Sequence, residues 1–334
     1  MPSSTRRGSS IAAGAMVLLW PLARNPDRPP DVVVRALDAL VRDEERLSPA
    51  QRAWLAEIPV WTMVEALDDD PGLKPYRWVG PGVEELLRRL EELGGTAWVG
   101  RYLRLVVLTL VAKSATRPPL IAIPPSVAAI VDIELRSIVE TDPEDGELFD
   151  VAQDRFWKDL ALCRGTLVPL GMTVVEPCWL PREVFAANAA ASPPFPDWDR
   201  ALRGRWLEWH AFQRRRVEFS SANRVRMFGL LADLLEANPV FEGVWGASWY
   251  YDPAVAEVSP HLAYLREQPR AGGAWLFPLT STPATVEMAL ATSRTRRRRH
   301  EEGSYVPSRY GLVWPRAEFI GWVHELGSSA GHGA

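Results

Sequence analysis

The chain has 334 residues, of which 47% are hydrophobic and 24% charged, and its formal net charge is −4. This composition is typical of a soluble globular protein, and the length predicts two domains. The negative net charge excludes a global attraction to nucleic acid or anionic lipid, so binding of either would need a local basic patch. The two cysteines, Cys163 and Cys178, exclude a disulfide framework and predict a reducing, cytoplasmic setting.

The first 30 residues resemble the start of a signal peptide, because Arg6 and Arg7 precede an apolar run. That run is short, contains Pro21 and has no small-x-small cleavage site after it. We interpret residues 1–30 as a disordered or mis-started N-terminus, with export as the alternative. No other apolar run is long enough to cross a bilayer, which predicts that the protein has no membrane partner.

Residues 31–148 are predicted to be mainly helical. Ser48 and Gln51 have the spacing of a capping box at the start of one helix, and Pro81 begins another. The run from Trp98 to Ala112 is apolar on every side, so its periodicity does not distinguish a buried helix from a buried strand.

Strand and helix signals alternate over residues 150–323, and residues 324–334 are predicted to be a flexible tail. A helical N-terminal region followed by a mixed-sheet domain is an α+β or α/β fold. One helix is predicted after Ser220 and one longer helix from Thr282 to Gly303. Strands are predicted at Met172 to Glu176, Val217 to Phe219, Val244 to Tyr250, Ala274 to Leu279 and Leu312 to Trp314.

Motifs for metal and nucleotide chemistry are missing from the sequence. The five histidines show no metal-ligand spacing, and no glycine-rich phosphate motif occurs, so we predict no metal. His210, in the segment WLEWHAF, is explained by a helical surface position at least as well as by catalysis. Asp252 follows a predicted strand end, where ligands often bind, and is a candidate base. The alternative for Asp252 is an Asx turn before Pro253.

An arginine run, Arg294 and Arg296 to Arg299, has two interpretations. The first is a solvated helix end, because cations stabilise the C-terminal end of a helix and Glu301 and Glu302 pair part of the charge. The second is a binding surface for a polyanion or a partner protein, formed with neighbouring aromatic residues. Contact with nucleic acid is therefore allowed but not favoured, and the sequence does not determine the oligomeric state.

The order of elements from Val217 onward resembles the GNAT superfamily of acyl-CoA N-acyltransferases. A strand at Val217 to Phe219 leads to a helix from Ser220 to Leu235, and a second strand follows at Val244 to Tyr250. The segment PHLAYLREQPRAGGAWLF then supplies a helix and the next strand. Where the family has a glycine-rich loop, this chain has SSANRVRM.

The resemblance implies a mixed sheet, a small-molecule substrate and transfer of an acyl group from an acyl-CoA donor to an amine. It places Ser221, Arg224 and Arg226 at the donor's phosphates, because the amides of a helix N-terminus attract anions. It places Tyr264 as the acid that protonates the leaving thiolate. The base would be Asp252 or Glu218. A non-enzymatic protein that binds through its arginine-rich and aromatic surface is the alternative.

Overall fold

The computed structural model describes residues 31–68, 75–114, 120–141, 149–190, 195, 198–212 and 219–330. The chain divides into two compact units. The first consists of Met1–Ile121 and Ala128–Val168, and the second of Ala122–Val127 and Pro169–Ala334. The fold is α+β, with a helical N-terminal region and a mixed sheet of six strands, as the sequence predicts.

Helices form the N-terminal region, and local signals explain where they start. The capping box is confirmed: the Ser48 hydroxyl accepts a hydrogen bond from the Gln51 amide at 3.2 Å, and the Gln51 side chain accepts one from the Ser48 amide at 2.9 Å. Gly95 interrupts the fourth helix with φ of 69°. The helices are α1 Asp31–Glu45, α2 Pro49–Glu57, α3 Val60–Asp68, α4 Pro81–Ser114, α5 Pro125–Val139 and α6 Asp154–Cys163.

The apolar run from Trp98 to Ala112 is the second part of α4, so it is a helix, and it is buried within the first unit. Among the described residues, α4 alone is long and apolar enough to span a membrane, and 72% of its most apolar window is buried. Length and composition are weak evidence for a span, because the core helix of a soluble protein passes the same test.

A partly buried charge cluster stabilises the start of α6. The Asp154 carboxylate accepts hydrogen bonds from the Tyr76 hydroxyl at 2.5 Å, from the Lys158 ammonium at 2.8 Å and from Arg77. Burial by itself raises the pKa of Asp154, but Lys158, Tyr76 and Arg77 outweigh it and lower the pKa to about 2. The ionised carboxylate is therefore part of the fold of the first unit.

The mixed sheet has the strand order β1-β2-β3-β4-β6-β5. Strand β3 is antiparallel to β2 and parallel to β4, whereas β6 is antiparallel to both β4 and β5. Because β6 lies between β4 and β5, the last strand of the chain inserts into the sheet. The strands are β1 Val168–Pro169, β2 Thr173–Trp179, β3 Arg205–Ala211, β4 Phe241–Ser248, β5 Trp275–Leu279 and β6 Arg309–Pro315.

The two faces of the sheet carry different aromatic cores. On one face, Phe228 packs edge-to-face on Trp314 and Phe319. On the other face, Trp206 and Trp245 belong to a separate buried cluster. The helices that follow β2 are α7 Arg182–Ala190, α8 Trp198–Ala201, α9 Ser221–Ala237, α10 Val255–Val258, α11 Tyr264–Ala271, α12 Pro283–Ala291, α13 Arg294–Glu301 and α14 Arg316–Ala330.

Three predicted elements need correction. The strand before α9 is β3, at Arg205–Ala211; of the predicted strand at 217–219, residues 217 and 218 lie outside the described residues and Phe219 is not in a strand. The predicted single helix from Thr282 to Gly303 is two helices, because the Ser293 hydroxyl accepts the Arg296 amide and caps α13. Helix α14 continues to Ala330, past the start of the predicted tail at residue 324.

Candidate functional site

The pairing between the parallel strands β3 and β4 stops before their carboxyl ends. They pair at Arg205 with Phe241, Leu207 with Val244 and Glu208 with Trp245. No further pairs follow in these fully described strands, although β3 continues to Ala211 and β4 to Ser248. We call this unpaired stretch between the two central strands the gap; its backbone N–H and C=O groups are of the kind that a ligand can pair with.

The indole of Trp209 lies beside this gap. Trp209 follows the last paired residue of β3, and Gly246 follows the last paired residue of β4. A Cβ added at Gly246 would stand only 2.0 Å from Nε1 of the Trp209 indole. Position 246 therefore has room for glycine alone. The close approach holds the indole against β4 where the strands part.

Helix α9 connects the two parallel strands, so its N-terminus lies at the carboxyl end of β3, where ligands bind in α/β units. Ser220 is the N-cap, and its hydroxyl accepts the Asn223 amide at 3.2 Å. Ser221 is exposed and its hydroxyl accepts a hydrogen bond from Gln268 at 2.8 Å. Arg226 is exposed and donates to the Asn223 side chain. One of the first amides is therefore capped, and two predicted ligand residues lie on the surface of this helix end.

Arg224, the third predicted phosphate ligand, is inside the protein. Its side chain is 2% exposed, and its guanidinium carbon lies 4.8 Å from the centre of the Trp209 ring and 5.2 Å from that of Phe228. Its Nε and Nη2 atoms are buried and have no hydrogen-bond partner in the described part of the chain. The structure therefore gives Arg224 an environment different from that of Ser221 and Arg226.

Tyr251 and Tyr264 lie near this guanidinium, and Tyr250 packs on Tyr251; we call Arg224, Tyr250, Tyr251 and Tyr264 the arginine–tyrosine cluster. The rings of Tyr250 and Tyr251 are 4.7 Å apart. Burial raises the pKa of Tyr251 and of Tyr264, and the charge of Arg224 offsets part of each rise. The Tyr264 hydroxyl has no hydrogen-bond partner among the described residues, whereas the Tyr251 hydroxyl interacts with the side chains of Arg224 and Tyr250. Sequence-predicted residues Arg224 and Tyr264 are thus brought together.

A second polar group, Glu176, Glu208 and His210, lies on β2 and β3. The two glutamates are directly opposite each other across the antiparallel pair, and His210 Nε2 is 2.9 Å from Glu176 Oε1. Burial raises the pKa of Glu208; the charge of His210 lowers it and that of Glu176 raises it further. A carboxylate that orients an imidazole is a common arrangement for proton transfer.

The same three side chains could hold a cation, since one ligand atom from each lies within 4.8 Å of the other two. Two carboxylates and an imidazole suit a divalent transition metal. His210 Nε2 is hydrogen-bonded to Glu176, so the described geometry is that of a hydrogen-bonded acid–base pair. A metal bound at this nitrogen would have to replace that bond.

The two candidate bases predicted from the sequence are Asp252 and Glu218. Both oxygens of Asp252 accept backbone amides, that of Ala254 at 3.0 Å and that of Ser308 at 3.1 Å. This is the Asx turn that was the alternative interpretation, extended by a link to a second loop. Glu218 lies outside the described residues.

The arginine run is only partly a surface. Arg296 is 2% exposed and donates to the Ala289 carbonyl, to the Ser259 hydroxyl at 2.8 Å and to the Thr292 hydroxyl at 3.2 Å. Arg298 is exposed and lies 3.8 Å from Glu302. Because Arg296 is structural, the run offers a smaller surface to a polyanion than the sequence predicts, and nucleic-acid contact stays a prediction.

The sequence contained a signal for His210 that the helical interpretation missed. In the segment WLEWHA, Trp206, Glu208 and His210 alternate with Leu207 and Trp209. A period of two is typical of a strand with two different faces. Reading that alternation would have placed Glu208 and His210 on the same face of β3.

No family model and no curated protein matches the chain. Two solved structures resemble its fold: an acyltransferase in complex with CoA and 10C-Teicoplanin, and an acyltransferase in complex with decanoyl-CoA. The first is 15% identical with a TM-score of 0.47, covering 90% of this chain and 94% of that one. The second is 16% identical with a TM-score of 0.47, covering 90% and 98%. Likeness at this level does not establish a shared function.

Proposed function

We propose that the second unit transfers an acyl group from a CoA-type donor to an amine acceptor. One observation carries this proposal: the parallel strands β3 and β4 part after Glu208 and Trp245, beside the N-terminus of the helix that joins them. An extended ligand that carries both amides and phosphates fits this arrangement. Its amides would pair with the unpaired strand edges, and its phosphates would lie at the helix end.

The donor's phosphates would lie at the surface end of α9. The exposed Ser221 and Arg226 and the uncapped amides at the start of the helix are available there. Phosphates are strongly hydrated, so an exposed helix end binds them at a lower desolvation cost than a buried site would.

Tyr264 is the proposed acid. Its hydroxyl has no hydrogen-bond partner in the described chain, and its raised pKa keeps it protonated. The amine nitrogen attacks the thioester carbonyl, so that a C–N bond forms and the C–S bond breaks. The departing thiolate then takes the proton of the Tyr264 hydroxyl, and the tyrosine recovers a proton from solvent.

His210 is the proposed proton acceptor, in place of Asp252 and Glu218. It sits near the carboxyl end of β3, and Glu176 holds its ring at 2.9 Å. Because side chains alternate along a strand, His210 and Trp209 point to opposite faces. The acceptor amine would therefore approach from the face opposite α9, through the gap between the strands, and lose its proton to His210.

Isothermal titration of the full chain with CoA and acetyl-CoA tests the proposal. We expect saturable binding of both, and weaker binding after Arg226→Glu, which reverses the charge at the helix end. Arg298→Glu is the matched control, because Arg298 is also exposed but lies in α13. Absence of binding to both ligands, or equal weakening by both variants, would contradict the proposed donor site.

A further inference from the structure

Two buried arginines in the second unit differ in how their donors are used. Both are 2% exposed, and each guanidinium lies over a tryptophan, Arg224 over Trp209 at 4.8 Å and Arg296 over Trp249 at 4.4 Å. All three nitrogens of Arg296 donate to protein oxygens. Nε and Nη2 of Arg224 have no acceptor among the described residues. Every guanidinium nitrogen of Arg296 therefore has an acceptor within the fold, whereas two nitrogens of Arg224 have none among the described residues.

The unpaired nitrogens of Arg224 define what it can bind. Nε and Nη2 lie on the same edge of the guanidinium, and two parallel N–H groups on that edge match the two oxygens of a carboxylate. The Tyr264 hydroxyl also lacks a partner, and the Tyr251 hydroxyl interacts with the side chain of Arg224. Nε and Nη2 of Arg224 can only donate, so this edge of the guanidinium needs a group that accepts hydrogen bonds.

Burial narrows the choice of anion. Tyr251 is fully buried and Arg224 nearly so, whereas Tyr250 and Tyr264 are half-buried and form the outer part of the cluster. The aromatic rings beside Arg224 compensate only part of the cost of burying its charge. A small, planar anion at the end of a short chain reaches such a position more easily than a hydrated phosphate.

We propose that Arg224 and Tyr251 bind a carboxylate on the acyl group of the donor. The donor is then an acyl-CoA whose acyl group ends in a carboxylate, such as malonyl-CoA or succinyl-CoA. This inference rests on the proposed function: the thioester lies near Tyr264 at the outer part of the cluster, and the acyl chain extends inward to Arg224. A phosphate of the donor is the competing source of the anion.

Titration calorimetry with CoA, acetyl-CoA, malonyl-CoA and succinyl-CoA tests the inference. At least one of the two carboxylated donors should bind about tenfold or more tightly than acetyl-CoA, because a charged hydrogen bond is lost without the carboxylate. Arg224→Lys, which keeps the charge but not the paired edge, should remove most of this preference. Tyr251→Phe, which removes only the hydroxyl oxygen, should reduce the preference for carboxylated donors. This variant keeps the inference testable if Arg224→Lys does not fold.

Tyr305→Phe is the matched control, because Tyr305 is also a buried tyrosine whose hydroxyl lacks a partner but it lies near Arg296. Its donor preference should equal that of the wild type. Equal binding of all acyl donors by the wild type, or a preference that survives both cluster variants, would overturn the inference and leave the proposed function standing. Equal weakening of every donor by Arg224→Lys would assign the arginine to a phosphate and also overturn it. Failure of all four ligands to bind would end both proposals.

Discussion

The Trp209 indole and Gly246 are in such close contact that a Cβ at position 246 would stand 2.0 Å from Nε1 of the indole. The two residues follow the last paired positions of β3 and β4. The contact therefore lies where the pairing of the two strands stops. Substitution of the glycine tests whether the gap depends on this contact.

Gly246→Ala should lower the free energy of unfolding by about 1–3 kcal/mol, because the added methyl group forces the buried indole out of its position. Binding of CoA should weaken as well. Gly229→Ala is the control, since no atom lies within 4 Å of a Cβ there and alanine favours the interior of α9. Urea unfolding measures both variants. A Gly246→Ala protein as stable as the control would show that the indole is not held by this contact.

His210→Gln should lower kcat for acyl transfer by about 10²–10⁴-fold, the usual contribution of a general base. The melting temperature should change little, because glutamine can keep a hydrogen bond to Glu176. Release of free thiol from acyl-CoA with a primary amine is the readout. His261→Gln, at an exposed position of the same unit, should leave the rate unchanged. Equal rates for both variants would remove His210 from the mechanism.

Asp252→Asn should reduce stability and not catalysis. Its two oxygens accept the amides of Ala254 and Ser308, and an asparagine NH₂ group would face one of these donors. The loss should be about 1–3 kcal/mol, as for a buried polar group without a partner. Unfolding and thiol release on the same preparations separate the two effects. A large loss of kcat at unchanged stability would restore Asp252 as a base.

Lowering the pH should reduce the stability of the first unit, because the Asp154 carboxylate becomes protonated. Its pKa is about 2 in the folded protein, below the ordinary value of 3.8, so its contribution is complete above pH 4 and is lost as the pH falls towards 2. A shift of this size corresponds to about 2 kcal/mol. Asp154→Asn cannot titrate, so the stability difference between wild type and variant should shrink by that amount between pH 6 and pH 2. A pH-independent difference would contradict the assigned ion cluster.

Local signals in the sequence predicted local structure well. The capping box at Ser48 needs only neighbouring residues, and so does the cap at Ser220, and both are confirmed. Strand β3 was missed because His210, in the segment WLEWHAF, was given a helical surface position despite the alternation of that segment. The meeting of Arg224 with Tyr251 and Tyr264 depends on how α9 and the segment after β4 pack on the sheet. No sequence pattern expresses that packing.

A structure of the protein in complex with CoA would show directly whether the donor binds between the two parallel strands. We expect the pantetheine arm to lie between β3 and β4 beyond Glu208 and Trp245, next to Trp209, with the phosphates at Ser221. Density for CoA elsewhere on the protein, with the gap between the two strands empty, would contradict it.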